Sequence, residues 1–575
     1  MNKFNKYSSI LLLSGLLLAL SACSDFLDKQ PKDQFTDEDY WSSESNLRTF
    51  AWKFYTDFVG YGSGVGTSGE FYYQSSPATD CISISDDINS GIFLQYETNA
   101  NTTNKLWKDN YITIRRANLM LTRLPLVPNM NEEATKHWEG VARFFRAYSH
   151  FKLVQRFGDI PYSETYASSN DYANIYLPRT NRNEVIDKVK ADLDIAIANL
   201  RASDGDNRIN KYVALALQAR ICLYEGTYRK YHNMGEGQDY LLEAKNAANQ
   251  IMSLGEYSLG SDFKAVYNSI ELKGNKEILL YVDYQPNVYM HSVQNFTNST
   301  STLNGMNKFA IDSYACTDGL PITQSPLYKG DEGLVNVIQD RDPRLKAAIR
   351  NDGLGYSGNN PNGVFSSTGY IIAIFNNPTQ SGPEITTGGR NHVDAPIFGL
   401  AEVLLNYAEA CAELGTITQA DLDISINPLR TRAGISPLTY ISEDHVQAKG
   451  IKIEDPKRIS ALEQISGTVS SITWEIRRDR RAELMTWTYI RYADLMRWKK
   501  GDYLDFTKNK DVTLGAKVGK ANAALTTVNE DGYIISYPNF TRTFDPQKHY
   551  LSSIPINDIT NYANEGIELK QNPGW

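Results

Sequence analysis

The chain has 575 residues, of which 22% are charged and 41% hydrophobic, and its mean hydropathy is −0.42. A formal net charge of −9 at neutral pH argues against a nucleic-acid partner, which would favour a basic face able to displace counterions. The balance is that of a soluble globular body, and the length exceeds what one simple hydrophobic core usually spans, so a broad or modular architecture is expected.

In chain order, the first element is a leader. Lys3 and Lys6 supply a positive start, and Ile10 to Leu20 form an apolar stretch broken only by Ser14 and Gly15. That stretch is shorter than the ~20 apolar residues a spanning helix needs, so it reads as a secretory signal. Leu20-Ser21-Ala22-Cys23 resembles a lipobox, in which the thiol is acylated with diacylglycerol and the chain is cut before the cysteine. Residues 1–22 are therefore expected to be removed and Cys23 to carry the lipid. Residues 23–36, polar and containing Pro31, are expected to be a tether. No second long apolar stretch follows, so the mature chain is expected to be anchored to a membrane without crossing it.

From Asp37 to about residue 282 the signals are mostly helical. Trp138 to Val154 places Val141, Phe144/Phe145, Tyr148 and Phe151 on one stripe, and Gly158 stops it. Asn183–Leu200 and Tyr212–Tyr224 repeat the pattern, and the short polar loop between them, with Gly205, makes them antiparallel. Ala214, Ala216 and Ala219 allow close approach. Helix pairs of this size build tetratricopeptide repeats, at about 34 residues each, but the full signature of that repeat is absent. A third pair is expected to start at Leu241–Met252, a fourth to contain Ala401–Leu414, and a last strong helix to run over Trp474–Arg491.

Residues 283–389 are rich in Asn, Ser, Thr, Gly and Tyr and read as long loops and short strands, as do residues 60–85. Function is disproportionately carried on such loops. Apart from Cys23, four of the five cysteines remain: Cys81, Cys222, Cys316 and Cys411, with no Cys-x-x-Cys. That pattern supports neither a zinc site nor a thioredoxin-like motif, and Cys222 and Cys411 read as small buried thiols in helices. The compartment permits a disulfide, but spacing pairs none of them.

Motifs with chemical promise reduce to structure. Gly64-Val65-Gly66-Thr67-Ser68-Gly69 satisfies G-x-G-x-x-G but opens no helix and reads as a loop. The run Arg477-Arg478-Asp479-Arg480-Arg481 reads as a solvated, salt-linked helix in which Arg480 and Glu483 pair. Asp421 and Asp423 read as helix caps rather than a calcium site. The chain has no His-Glu-x-x-His, Gly-x-Ser-x-Gly or P-loop, so neither catalysis, a metal nor a cofactor is expected.

A set of motifs resembles the SusD/RagB family of outer-membrane lipoproteins across the whole mature chain. They are Cys23-Ser24-Asp25-Phe26-Leu27-Asp28 with Pro31; Arg143 to Tyr148 with Leu153-Val154 and Phe157 to Tyr162; and Leu177-Pro178-Arg179 with Glu184 to Asp187. Later come Asp318 to Ile322, Arg341 to Leu345, Glu402 to Ala410, Ile426 to Arg430 with Arg432 to Gly434, Asp494 to Trp498, and the ending Gln571 to Trp575. One local departure is Met485 to Thr488, where the family commonly has an acidic residue and glycine before an arginine.

The resemblance implies a mainly α fold, an α-α superhelix of four tetratricopeptide-like helix pairs with a loop-rich irregular half carrying short strands. Residues 37–282 would form the helical-repeat portion and residues 283–575 the loop-rich and helical portion. It also implies a surface-exposed protein, lipid-anchored in the outer membrane, that captures an oligosaccharide and passes it to a SusC-like TonB-dependent transporter. A peptide ligand, or a scaffold role without small ligand, are the alternatives. A sugar offers apolar C–H faces ringed by hydroxyls, so its site needs flat aromatics with amide and hydroxyl partners. With 36 tyrosines, many on the predicted loops, the ligand-site candidates are Tyr72, Tyr73, Tyr96, Asn101, Tyr284, Tyr289 and Phe296. They are chosen partly because SusD-like proteins build their site from loops in corresponding parts of the chain. Trp107, Phe144, Phe145 and Tyr148 are expected in the core.

Overall fold

The computed structural model describes residues 40–65, 81–84, 99–298, 304–356, 363–487, 490–523 and 526–575. The leader, Cys23 and the tether lie outside them. The principal helices are α1 (Glu44–Ala51), α2 (Lys105–Arg123), α3 (Glu132–Phe157), α4 (Arg182–Asn199), α5 (Lys211–His232), α6 (Gln238–Met252), α7 (Leu400–Glu413), α8 (Ser471–Leu484), α9 (Ile490–Arg497) and α10 (Ile556–Asn564).

Asparagine opens several of them, because its side-chain oxygen satisfies an N–H that the first turn leaves without a partner. Asn104 accepts from the Trp107 N–H at 3.2 Å, Asn131 from Ala134 at 2.7 Å, and Asn210 from Val213 at 3.0 Å. Helix α3 ends at Gly158, whose φ of 73° suits a residue without a Cβ.

The helices pack in succession, α2 on α3, then α4, α5, α6, α7 and α8. Helices α5 and α7 are buried on nearly every side, so the core runs continuously between them. A Cβ on Gly226 would come within 2.7 Å of the Leu241 side chain, so this glycine sets how closely α5 and α6 approach. Helix α6 finds its neighbour α7 only after the loop-rich stretch. That stretch is tied back by an antiparallel pair, Ile278–Val282 with Ala395–Gly399, whose second strand leads directly into α7.

The expected helices at 138–154, 183–200, 212–224, 241–252 and 401–414 all form, and Trp107, Phe144, Phe145 and Tyr148 are buried. Cys222 and Cys411 are free thiols buried in α5 and α7, and Cys81 and Cys316 are buried as well. Asp421 does cap a helix, in a reciprocal capping box with Thr418. Two expectations are corrected. The helix at 474–491 is two helices, because α8 stops at Leu484 and the following Trp487 is buried against Gly399 and Tyr267.

The arginine run is not solvated either: Arg477, Arg478, Arg480 and Arg481 are all buried or nearly so. Arg480 pairs with Asp494 at 2.8 Å rather than with Glu483, which receives Arg432 at 2.6 Å and Arg344 at 3.2 Å. Asp479 receives Arg344 at 2.8 Å and Arg430 at 2.9 Å. Burying a charge is tolerated only when it is paired and hydrogen-bonded, as Arg480, Asp479 and Glu483 are. Helix α8 thereby gathers Arg344, Arg430, Arg432 and Asp494 into one buried network.

Candidate functional site

Within the loop-rich stretch, a short reversal presents an aromatic ring to solvent. Pro286 and Asn287 occupy the centre of a turn closed by the Val288 N–H donating to the Gln285 carbonyl at 3.1 Å. Proline fixes φ at the first central position, and Asn287 takes the left-handed φ of 61° at the second. The turn leaves Val288 83% exposed and Tyr289 40% exposed.

Tyr289 does not stand alone. Its ring lies parallel to Tyr284, 4.9 Å between centroids and 1° between planes. Tyr284 is buried, and Tyr61 lies near-parallel to it at 6.4 Å. His291 meets the edges of both, at 4.5 Å from Tyr284 and 5.1 Å from Tyr61. The Tyr284 hydroxyl donates to the Gly62 carbonyl at 2.7 Å, and its backbone N–H donates to the Asp394 carboxylate at 2.8 Å. Burial pushes the Tyr289 phenol above its usual value, against hydrogen bonds with Tyr284 and Ser63 that lower it.

Residues 61–65 are sewn onto this platform. The Gly64 N–H donates to the Met290 carbonyl at 2.7 Å, and the Ser292 hydroxyl to the Gly64 carbonyl at 2.7 Å. Behind it lies an amide cluster: the Asn391 side-chain oxygen accepts from the N–H groups of Gln294 and Asn295 at 3.0 and 3.1 Å. Gln294 in turn donates to Gln380 at 2.8 Å. The platform is therefore an aromatic face backed by buried amides, with the exposed Gln285 and Asn287 amides beside it, the surface chemistry that a sugar ring requires.

Two titratable groups beside the platform are withdrawn from solvent. His291 is fully buried, held at about 3 by burial and bonded to the Val393 carbonyl at 2.9 Å. Asp394 is fully buried too, raised to about 7 by burial while two backbone N–H groups oppose the shift. Among the described residues, no cluster of three or more His, Cys, Asp or Glu side chains could hold a metal ion.

Of the residues singled out in the sequence, Tyr72, Tyr73 and Tyr96 lie outside the described residues. Tyr284 and Tyr289 are brought together, Tyr284 as the buried support and Tyr289 as the face. Phe296 sits half-buried on the helix Val293–Asn298, packed against the core. Asn101 is elsewhere: its N–H donates to the Ser553 hydroxyl at 3.1 Å and its carbonyl accepts from Ile556 at 2.9 Å, at the start of α10. Sequence reasoning missed Tyr61, His291 and Asn391. The Pro286-Asn287 pair was the available signal for the turn.

A SusD family model matches residues 263–575, more than half of the chain. The chain belongs to the SusD family. A second model of this group, described as starch-binding associating with outer membrane, matches residues 25–223. The SusD-like protein P38 of Formosa agariphila is 27% identical over 236 residues, covering 40% of this chain and 44% of that protein. The chain thus spans about half the length of such curated relatives, the match to P25 of the same organism reaching 53% of that protein. The structure of a SusD-like carbohydrate binding protein from Bacteroides fragilis superposes with a TM-score of 0.69 at 21% identity, over 91% of this chain and 99% of that one. A laminarin binding SusD-like protein gives 0.58 at 18% identity, over 93% and 100%. At such identities the likeness is one of fold, and this SusD-family chain shares the mainly α architecture.

Proposed function

We propose that this chain is a surface lipoprotein, anchored at Cys23, that binds oligosaccharide on the outer membrane and delivers it to a SusC-like TonB-dependent transporter. The observation that carries the reading is Tyr289, half-exposed and stacked on the buried Tyr284. A sugar would lie on the Tyr289 face, and the exposed amides of Gln285 and Asn287 beside it would take its hydroxyls. The carbohydrate and laminarin binding of structural relatives, and the outer-membrane association of the second family model, support the same ligand class and place. No helix among the described residues is long and apolar enough to cross a membrane, in keeping with a lipid anchor.

The role is binding without catalysis. Asp394 and His291, an acid and a base next to the platform, are buried and occupied by backbone partners, so neither can reach a glycosidic oxygen from its present place. Affinity gel electrophoresis of residues 24–575 against a panel of polysaccharides tests the proposal. Retardation by at least one glycan, without release of reducing ends, is expected. A panel that leaves mobility unchanged, with no transporter co-purifying from the native membrane, would overturn it.

A further inference from the structure

We propose that this chain carries a second ligand pocket, walled by residues 455–463, α8 and residues 491–511, that takes an acidic sugar through its carboxylate or sulfate group. The inference rests on the glycan-binding reading above but uses none of the platform's residues. The cavity has a volume of about 460 Å³. That lies within the ~300–1,000 Å³ of pockets that hold small ligands.

Its wall is cationic in a chain that is acidic overall. Eight lysine and arginine side chains line it against three carboxylates, Asp455, Glu463 and Asp511, while the whole chain carries −9. Two of those carboxylates are already engaged by the wall itself. Asp455 accepts from Arg478 and from the Trp474 indole N–H at 3.0 Å, and Glu463 accepts from Lys500 at 2.7 Å.

Further acids that balance the cations lie behind the lining: Glu413 holds Arg477 at 3.1 Å, Glu475 holds Arg478 at 3.1 Å, and Asp312 stands 3.4 Å from Lys457. The lining therefore carries more positive than negative charge, and further acids, Asp502 beside Lys508 among them, stand behind it, an arrangement that favours an anion in a low-dielectric space. Burial lowers the Lys457 and Lys500 ammoniums from the usual lysine value, and an entering anion would raise them again.

The same wall holds aromatic rings. Trp498 is buried under the Arg477 guanidinium at 4.2 Å and Phe309 lies under Arg481 at 4.5 Å, while the half-buried Trp474 turns part of its surface to solvent. Cations alone would suit any small anion; cations combined with aromatic faces suit a charged ring with C–H surface. A neutral sugar would gain less from the cations than an acidic one does, so the pocket discriminates by charge.

Titration calorimetry of residues 24–575 with methyl β-D-glucuronide and methyl β-D-glucoside tests this, because the two probes differ only in the carboxylate. The glucuronide is expected to bind at least about tenfold more tightly. That preference should shrink as salt is raised from about 50 to about 300 mM. The double variant Lys457→Ala/Lys510→Ala, which removes two cations at the solvent side, should weaken glucuronide binding about tenfold and keep its retardation by a neutral glycan. Equal affinity for the two probes would overturn the proposal. So would glucuronide binding unchanged in the double variant, or binding of inorganic sulfate with no binding of the glucuronide. Glucuronide binding that persists when no neutral glycan retards the protein would sink the platform reading and leave this one standing.

Discussion

In α8, the arginines and carboxylates are held by charged partners from distant parts of the chain: Arg344, Arg430, Arg432 and Asp494. Around the platform the partners are mostly neutral backbone groups, Gly62, Gly64, Met290 and Val393, with the Asn391 amide and the Asp394 carboxylate beside them. The first arrangement is costly to break at any point, because each lost partner strands a buried charge. The second holds one ring in place and leaves the surrounding loop sequence free to vary. Stability is thus concentrated in the scaffold and recognition in the loops, and substitutions on the two sides should separate the two properties.

The largest effect of a single substitution should come from the scaffold. Glu409→Ala strips the acceptor from Arg497, bonded at 2.6 and 2.7 Å, and from the Trp498 indole at 2.7 Å. A loss of roughly 3–5 kcal/mol is expected by urea denaturation. Any glycan retardation by the fraction still folded should be unchanged. A loss under ~1 kcal/mol would break the contrast, because this pair would then be no more than a surface ion pair.

Acid should act next, and mainly on the scaffold. Burial holds His137 and His232 at about 4 and His150 and His291 at about 3. Their folded values lie below the unfolded ~6.5, so the unfolded chain binds more protons and stability falls as pH drops from about 6.5 toward 4, by up to ~1.4 kcal/mol per pH unit for each histidine. Asp394 opposes them: its folded value is raised to about 7, so its contribution is present below about 4 and lost as pH rises to 7. Of these five groups the four histidines prevail. A melting temperature that rises between pH 6.5 and 4.5 would contradict this account.

The smallest effect belongs to the loop side. Tyr284→Phe keeps the ring beneath Tyr289 but removes the donor to the Gly62 carbonyl, at a cost of about 0.5–1.5 kcal/mol. Glycan affinity should fall severalfold as residues 61–65 loosen. A variant with unchanged stability and affinity would show that this hydrogen bond does not hold the platform.

Much of the scaffold was legible because apolar stripes force a helix to bury one face. The stripe at 138–154 lies inside α3, which starts earlier because Asn131 caps a polar first turn that carries no stripe. The buried arginines of α8 were not legible, since periodicity alone sends charge outward and their partners lie far away in the chain. At the site, tyrosine-rich loops and the Pro286-Asn287 turn were visible. Which tyrosine supports and which is exposed was not, because that depends on pairing with Ala395–Gly399 and on the bond to Asp394.

The most direct measurement is the affinity of Tyr289→Ala and Tyr289→Phe for the glycan that most retards the unsubstituted protein. Loss of the ring should weaken binding by about tenfold or more, about 1.4 kcal/mol. The phenylalanine variant should retain most of it, with both variants folded and melting close to the parent. Binding of Tyr289→Ala at parental strength would contradict the account and move the glycan site away from this platform.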